Sequence, residues 1–170
     1  KASEYEIMIF LEYVPFVFKN WLKPNVSKVN EMSKKLFRTF DFLRSKGVIH
    51  FDAHFGNILT DGNNIYSTDF GLALDEKFIL TEKEKMFYRD HKNYDHMEYI
   101  GCMSSLLESY WHDLNSKLKK QLEDQFQLKS ETPYFEKISI ILENLNSISK
   151  IMKLDKTYVK FLSRHVETIK

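Results

Sequence analysis

The chain has 170 residues, 43% of them hydrophobic and 15% aromatic, which is enough for one domain with a sizeable core. Charged residues make up 29% and nearly cancel to a net charge of +1, so there is no general pull toward nucleic acid or an anionic membrane. The 5 Gly and 3 Pro exclude a long disordered linker, and a single cysteine, Cys102, excludes an internal disulfide and suits a reducing, cytoplasmic compartment.

Tyr5 to Val14 (YEIMIFLEYV) is β-branched and aromatic, and predicts a buried strand running into a turn at Pro15. The apolar stretch from Ile7 to Phe18 is interrupted by Glu12 and Pro15, and is too short to span a bilayer. No secretory signal pattern opens the chain, and Lys1 in place of Met suggests part of a longer product. Val17 to Leu22 reads as a short helix stopped by Pro24. Val29, Met32, Leu36, Phe40 and Leu43 recur at spacings of three and four, the apolar face of a long helix. Asn25 or Ser27 is the expected cap at its start, and Gly47 the left-handed residue at its end.

Val48 and Ile49 predict a short strand, and His50 to Asn57 a loop. Ile58 to Thr60 and Ile65 to Thr68 predict two more strands, joined by Asp61-Gly62-Asn63-Asn64, residues that tolerate positive φ. Asp69-Phe70-Gly71 follows. The remainder is helical in pattern, broken near Pro133. Its stripes are Ile100, Ser104, Leu107 and Trp111; Leu114, Leu118 and Leu122; Ile138, Ile141, Leu142 and Leu145; and Val159, Leu162, Val166 and Ile169. Lys117, Lys119 and Lys120 read as a solvated helix face. The expected class is α+β, mostly α-helical, with one or two short β-hairpins.

Chemistry concentrates between Gly47 and Ala73 (GVIHFDAHFGNILTDGNNIYSTDFGLA). Phosphoryl transfer needs a divalent cation held by hard oxygen ligands and a carboxylate to orient and deprotonate the acceptor hydroxyl. Asp52, Asn57 and Asp69 supply two carboxylates and an amide from two adjacent turns. The pattern HxDxxxxN from His50 through Asp52 to Asn57, followed by Asp69-Phe70-Gly71, resembles the catalytic loop and metal-binding DFG turn of protein kinases and related small-molecule kinases. Phe10 to Val14 resembles the hinge between their two lobes, and Val29 to Lys46 the helix before the catalytic loop.

The resemblance implies a kinase-like C-terminal lobe over residues 1–170: hinge strand and linker in 1–15, helices and catalytic and metal loops in 16–73, and a helical remainder in 74–170. Asp52 would be the catalytic base, and Asn57 and Asp69 would bind Mg2+. ATP would lie against Leu11, Glu12, Tyr13, Val14, Leu59 and Thr68. His50, Phe70 and Gly71 would support the site, with Gly71 allowing the turn. No glycine-rich loop or strand lysine precedes Tyr5, so the N-lobe is expected from the rest of the protein or from another chain.

Departures bear on the acceptor. Phe51 stands where many protein kinases carry an arginine that pairs with an activation-loop phosphate, so that form of switching is not expected. His54 gives DxHxxN, similar to aminoglycoside and choline kinases; it is either a γ-phosphate contact or a packed loop residue. No APE motif follows Gly71. DFGLA and the hinge favour a protein Ser/Thr acceptor, and the DxHxxN pattern a small-molecule hydroxyl. Asp95 to Met103 resembles the helix after the activation segment.

Two other readings compete. His50, Asp52 and His54 alternate in a pattern open to zinc ligation, but zinc leaves Asn57 and the DFG turn unexplained. Asp90, His91, Asp95 and His96 read as a solvated surface cluster. A nucleotide-binding lobe without turnover is the alternative to an enzyme: the intact Asp52, Asn57 and Asp69 favour catalysis, and the lack of an N-lobe favours the other.

Overall fold

A computed structural model describes residues 10–146 of the chain, and the stripe from Val159 to Ile169 lies outside them. The class is α+β and mostly helical, with few, short, antiparallel strands.

Pairing starts with β1 (Phe16–Val17), which bonds antiparallel to β3 (Ile58–Thr60) with Phe16 opposite Thr60. The expected strand over Tyr5 to Val14 is corrected here. Residues 5–9 lie outside the described ones, and residues 10–15 have no regular structure, with Phe10, Leu11 and Tyr13 over 80% exposed. A strand needs a ladder partner, and the free edge of β3 is taken at Phe16 and Val17. Val17 is thereby drawn into the ladder, so α1 (Phe18–Leu22) begins one residue later than its sequence suggests.

α2 (Val29–Ser45) buries Val29, Met32, Leu36, Phe37 and Phe40, each burial stabilising by roughly 1.5–3 kcal/mol. Neither Asn25 nor Ser27 caps it. A 3-10 turn (Val26–Lys28) runs straight into its first residue, and the Asn25 amide donates back to the Trp21 carbonyl at 2.7 Å. Gly47 ends the helix as expected, with φ +76°, and a Cβ there would come within 2.3 Å of Glu76.

The chain then makes β2 (Val48–Ile49), the β3–β4 hairpin with β4 at Ile65–Ser67, and β5 (Leu74–Asp75), which pairs back onto β2. In the hairpin turn Gly62 has φ +96°, and Asp61 Oδ1 accepts the N–H groups of Asn63 and Asn64 at 2.7 and 2.6 Å. β3 alternates, with Ile58 and Thr60 buried and Leu59 half-buried on the opposite face.

α3 (Glu82–Asp90) opens with a capping box between Thr81 and Glu84. α4 (Tyr94–Trp111) runs through the core, burying Tyr99, Ile100, Met103, Ser104, Leu107 and Trp111 against α2 and α6 (Tyr134–Asn146). α5 (Ser116–Phe126) is capped by Asn115, whose Oδ1 accepts from Leu118 N, and ends on Gln127 at φ +54°. Leu114 lies in the turn before α5, so of its stripe only Leu118 and Leu122 are helical. Lys137 is buried because it pairs with Glu123 and donates to the Ser130 carbonyl at 2.9 Å. No helix among the described residues is long and apolar enough to cross a membrane.

Candidate active site

Two strand ends deliver the loop at His50–Asn57 and the turn at Thr68–Gly71, because β2 leads into the first and β4 into the second. Side chain and backbone lock them together. His50 is fully buried; its Nε2 donates to the Thr68 carbonyl at 3.0 Å and its Nδ1 accepts the Asp52 N–H at 3.3 Å. That arrangement requires the neutral Nε2–H tautomer. The Thr68 N–H donates to the Asn57 carbonyl at 3.0 Å, and the His50 ring lies 4.4 Å from the Phe70 ring. His50 is therefore a strut, and with both ring nitrogens engaged it has none left for zinc.

Asn57 is within reach of Asp52. Its Nδ2 donates to the Asp52 carbonyl at 3.0 Å and to Oδ2 at 2.8 Å. Spending the amide nitrogen this way leaves Asn57 Oδ1 as the atom suited to a cation. Asp69 takes a left-handed conformation, φ +58°, and its Oδ1 accepts the Gly71 N–H at 3.3 Å. The left-handed residue of the turn is Asp69, and Gly71 has no positive φ. A Cβ on Gly71 would lie 3.2 Å from Asp69 Oδ1, so glycine serves clearance and an N–H for the carboxylate.

His54 is neither packed nor remote. Its side chain is 45% exposed, Nδ1 accepts the Gly56 N–H at 3.0 Å, and Nε2 lies 3.7 Å from Asp52 Oδ1. Beside it opens a groove of about 820 Å³ lined by Lys19, His54, Phe55, Glu98, Cys102 and Ser105, among others. Burial pushes the Cys102 thiol up to about 11, which makes it a poor nucleophile.

The adenine side is less built. Leu11, Glu12 and Tyr13 are exposed and Val14 half-buried in the irregular segment before β1. Glu12 is near enough to Tyr66 on β4 to help raise its hydroxyl pKa, an effect led by the Asp61 hydrogen bond. Leu59 and Thr68 are half-buried, on β3 and just after β4. Hydrogen bonds thus join His50, Asp52, Asn57 and Thr68, with His54 3.7 Å from Asp52, the Phe70 ring against His50, and Asp69 bonded to Gly71 within the following turn, while Leu11 to Val14 form an irregular, mostly exposed strip.

Asp95, at the start of α4, sits beneath this unit and is 4% exposed. Its Oδ2 accepts the His50 N–H at 2.9 Å and its Oδ1 the Phe51 N–H at 3.0 Å. Burial raises its pKa above the usual carboxylate value, and the two N–H groups oppose that rise without cancelling it. His96 is 1% exposed, with Nε2 3.1 Å from Asp41 Oδ1, and burial lowers its pKa to about 4. Asp95 and His96 are therefore interior, against the solvated cluster expected from sequence. The signal was present: each lies four residues before a core position, Tyr99 and Ile100.

No protein-family model, curated protein or solved structure matches the chain. Among the described residues no three His, Cys, Asp or Glu side chains gather where they could share a metal ion.

Proposed function

We propose that this chain is the catalytic lobe of an ATP- and magnesium-dependent phosphotransferase that moves the γ-phosphate to a hydroxyl, with protein Ser/Thr as acceptor. The observation that carries this reading is the Asp52–Asn57 contact, braced against the Asp69 turn through Thr68 and His50. A carboxylate held there by an amide has a fixed direction and accepts the proton of an incoming hydroxyl. His54 lies beside it, 3.7 Å away, to steady that carboxylate or a phosphate oxygen. Asn57 Oδ1 and the Asp69 carboxylate would hold magnesium, which when bound neutralises phosphate charge. Leu59 and the backbone of Leu11 to Val14 would meet adenine, with Thr68 at the phosphates' near side.

Helices after the turn and a short hairpin before it agree with a kinase-like C-terminal lobe. A glycine-rich lobe from the rest of the protein or another chain would complete nucleotide binding. Use of ATP implies a cytoplasmic setting. The groove beside His54 favours a second reading, because about 820 Å³ is the size of a small-molecule pocket. In that reading the acceptor is a small hydroxyl compound.

The test is a γ-labelled ATP transfer assay on the full-length protein with magnesium, offered protein substrates and small hydroxyl acceptors in parallel. Label on proteins supports the first acceptor class and label on small compounds the second. ATP binding with no transfer to either would leave a nucleotide-binding lobe without turnover.

A further inference from the structure

Phe51 lies between His50 and Asp52 and has φ +62°, a left-handed conformation that strains a residue with a Cβ. Something has to hold it there. Asp95 clamps its backbone N–H from the α4 side. The ring is held as well, by three others. It stacks on Phe87 at 5.5 Å between centroids and 24° between planes, and lies 4.9 Å from Tyr94 and 6.1 Å from His91. Phe87 and His91 stack on each other at 3.9 Å and 27°. The His91 Nδ1–H donates to the Phe87 carbonyl at 2.7 Å, which ties that pair to the end of α3.

General core packing does not explain this cluster, since Phe87 is 49% exposed and Phe51, His91 and Tyr94 are half-buried. Along α3 only Tyr88 is buried, so the helix meets the body of the molecule chiefly through Tyr88 and these rings. Ring pairs of such geometry add a stabilisation comparable with the backbone cost at Phe51.

We infer that Phe51, Phe87, His91 and Tyr94 form an aromatic clasp through which α3 positions the loop bearing Asp52. Phe87 is a positioning residue: it touches no reacting atom and acts on the loop through Phe51. When α3 is docked, the clasp and Asp95 together keep Phe51 left-handed and His50 on Thr68. When Phe87 is withdrawn, Asp95 and the remaining contacts with Tyr94 and His91 oppose the strain less fully, and the segment His50–Asp52 opens more often.

The inference rests on the phosphotransfer reading only for its activity arm; its structural arm stands alone. Hydrogen exchange of the His50 to Asp52 amides is measured in the full-length protein, in Phe87→Ala and in Phe87→Tyr. Loss of the stack on Phe51 predicts exchange about tenfold faster in Phe87→Ala, with melting little changed because the side chain is half exposed. Phe87→Tyr keeps the ring and restores slow exchange. Turnover falls about tenfold in Phe87→Ala at unchanged KM for ATP, and recovers in Phe87→Tyr. Unchanged exchange in Phe87→Ala, or Phe87→Tyr as fast as Phe87→Ala, overturns the clasp. Should Phe87→Ala unfold, Phe87→Leu preserves apolar contact without a ring, and wild-type exchange in that variant overturns it equally. A wild-type protein that transfers no phosphate refutes the phosphotransfer reading, while the exchange result still decides the clasp.

Discussion

The segment from His50 to Asn57 and the segment from Phe10 to Pro15 would serve one nucleotide, yet they are built in opposite ways. The first is wired to its surroundings through Thr68, Asp95 and its own backbone. The second is irregular, with Phe10, Leu11 and Tyr13 over 80% exposed. Positions at which reacting atoms would sit are fixed by this chain's own interactions. Positions that would only grip a flat ring are left to whatever covers them. Preorganisation matters most where charge develops, and least where binding is apolar and tolerant.

Mutations can break that contrast. The largest effect is expected at Asp52: Asp52→Asn should leave ATP binding intact and cut transfer by about 10²–10⁴-fold, read as kcat at saturating ATP. Unchanged turnover removes Asp52 as the base. Next comes Asp95. Asp95→Ala leaves two buried N–H groups without an acceptor, which should cost on the order of 3 kcal/mol, seen as a lower urea midpoint. A midpoint equal to wild type would mean that the loop does not depend on this carboxylate.

Acid should act through His96 more gently. Its folded pKa of about 4 lies below the usual 6.5, so the unfolded chain binds the proton more tightly. Its contribution is present above pH 6.5 and lost as pH falls toward about 4. Asp95 works in the opposite sense, because its raised pKa favours folding below the usual 3.8 and loses that advantage as pH rises through the folded value. His96→Asn should therefore flatten the fall in melting temperature between pH 6.5 and 4, and an unaltered slope would rule out His96 as its source. The smallest effect is expected in the loose strip: Leu11→Ala and Tyr13→Ala should shift stability of the described fold by less than about 0.5 kcal/mol. A larger loss would show that residues 10–15 are held by contacts the fold does not display.

The same contrast accounts for what the sequence discloses. Periodic apolar stripes mark α2, α4 and α6 because burial follows the helical repeat, and Gly47 marks a stop because its φ of +76° is a left-handed conformation that favours glycine. The loop at 50–57 and the turn at 68–71 were legible as breaks between short β-branched runs. Residues 10–14 misled because a β-rich composition says nothing about whether an edge is available to pair with. Asp95 and His96 misled because charge suggests solvent, while their partners, two backbone N–H groups and Asp41, lie more than 40 residues away in the chain. The Thr81–Glu84 capping box is written in the sequence as a threonine three residues before a glutamate.

The proposal depends on Asp69 and Asn57 presenting oxygen to a hard cation beside a nucleotide. Calorimetric titration of ATP into the full-length protein, with and without magnesium, measures this directly in wild type and Asp69→Asn. The account predicts magnesium-dependent binding in wild type and its loss in Asp69→Asn. Equal, magnesium-dependent affinity in both proteins would contradict it.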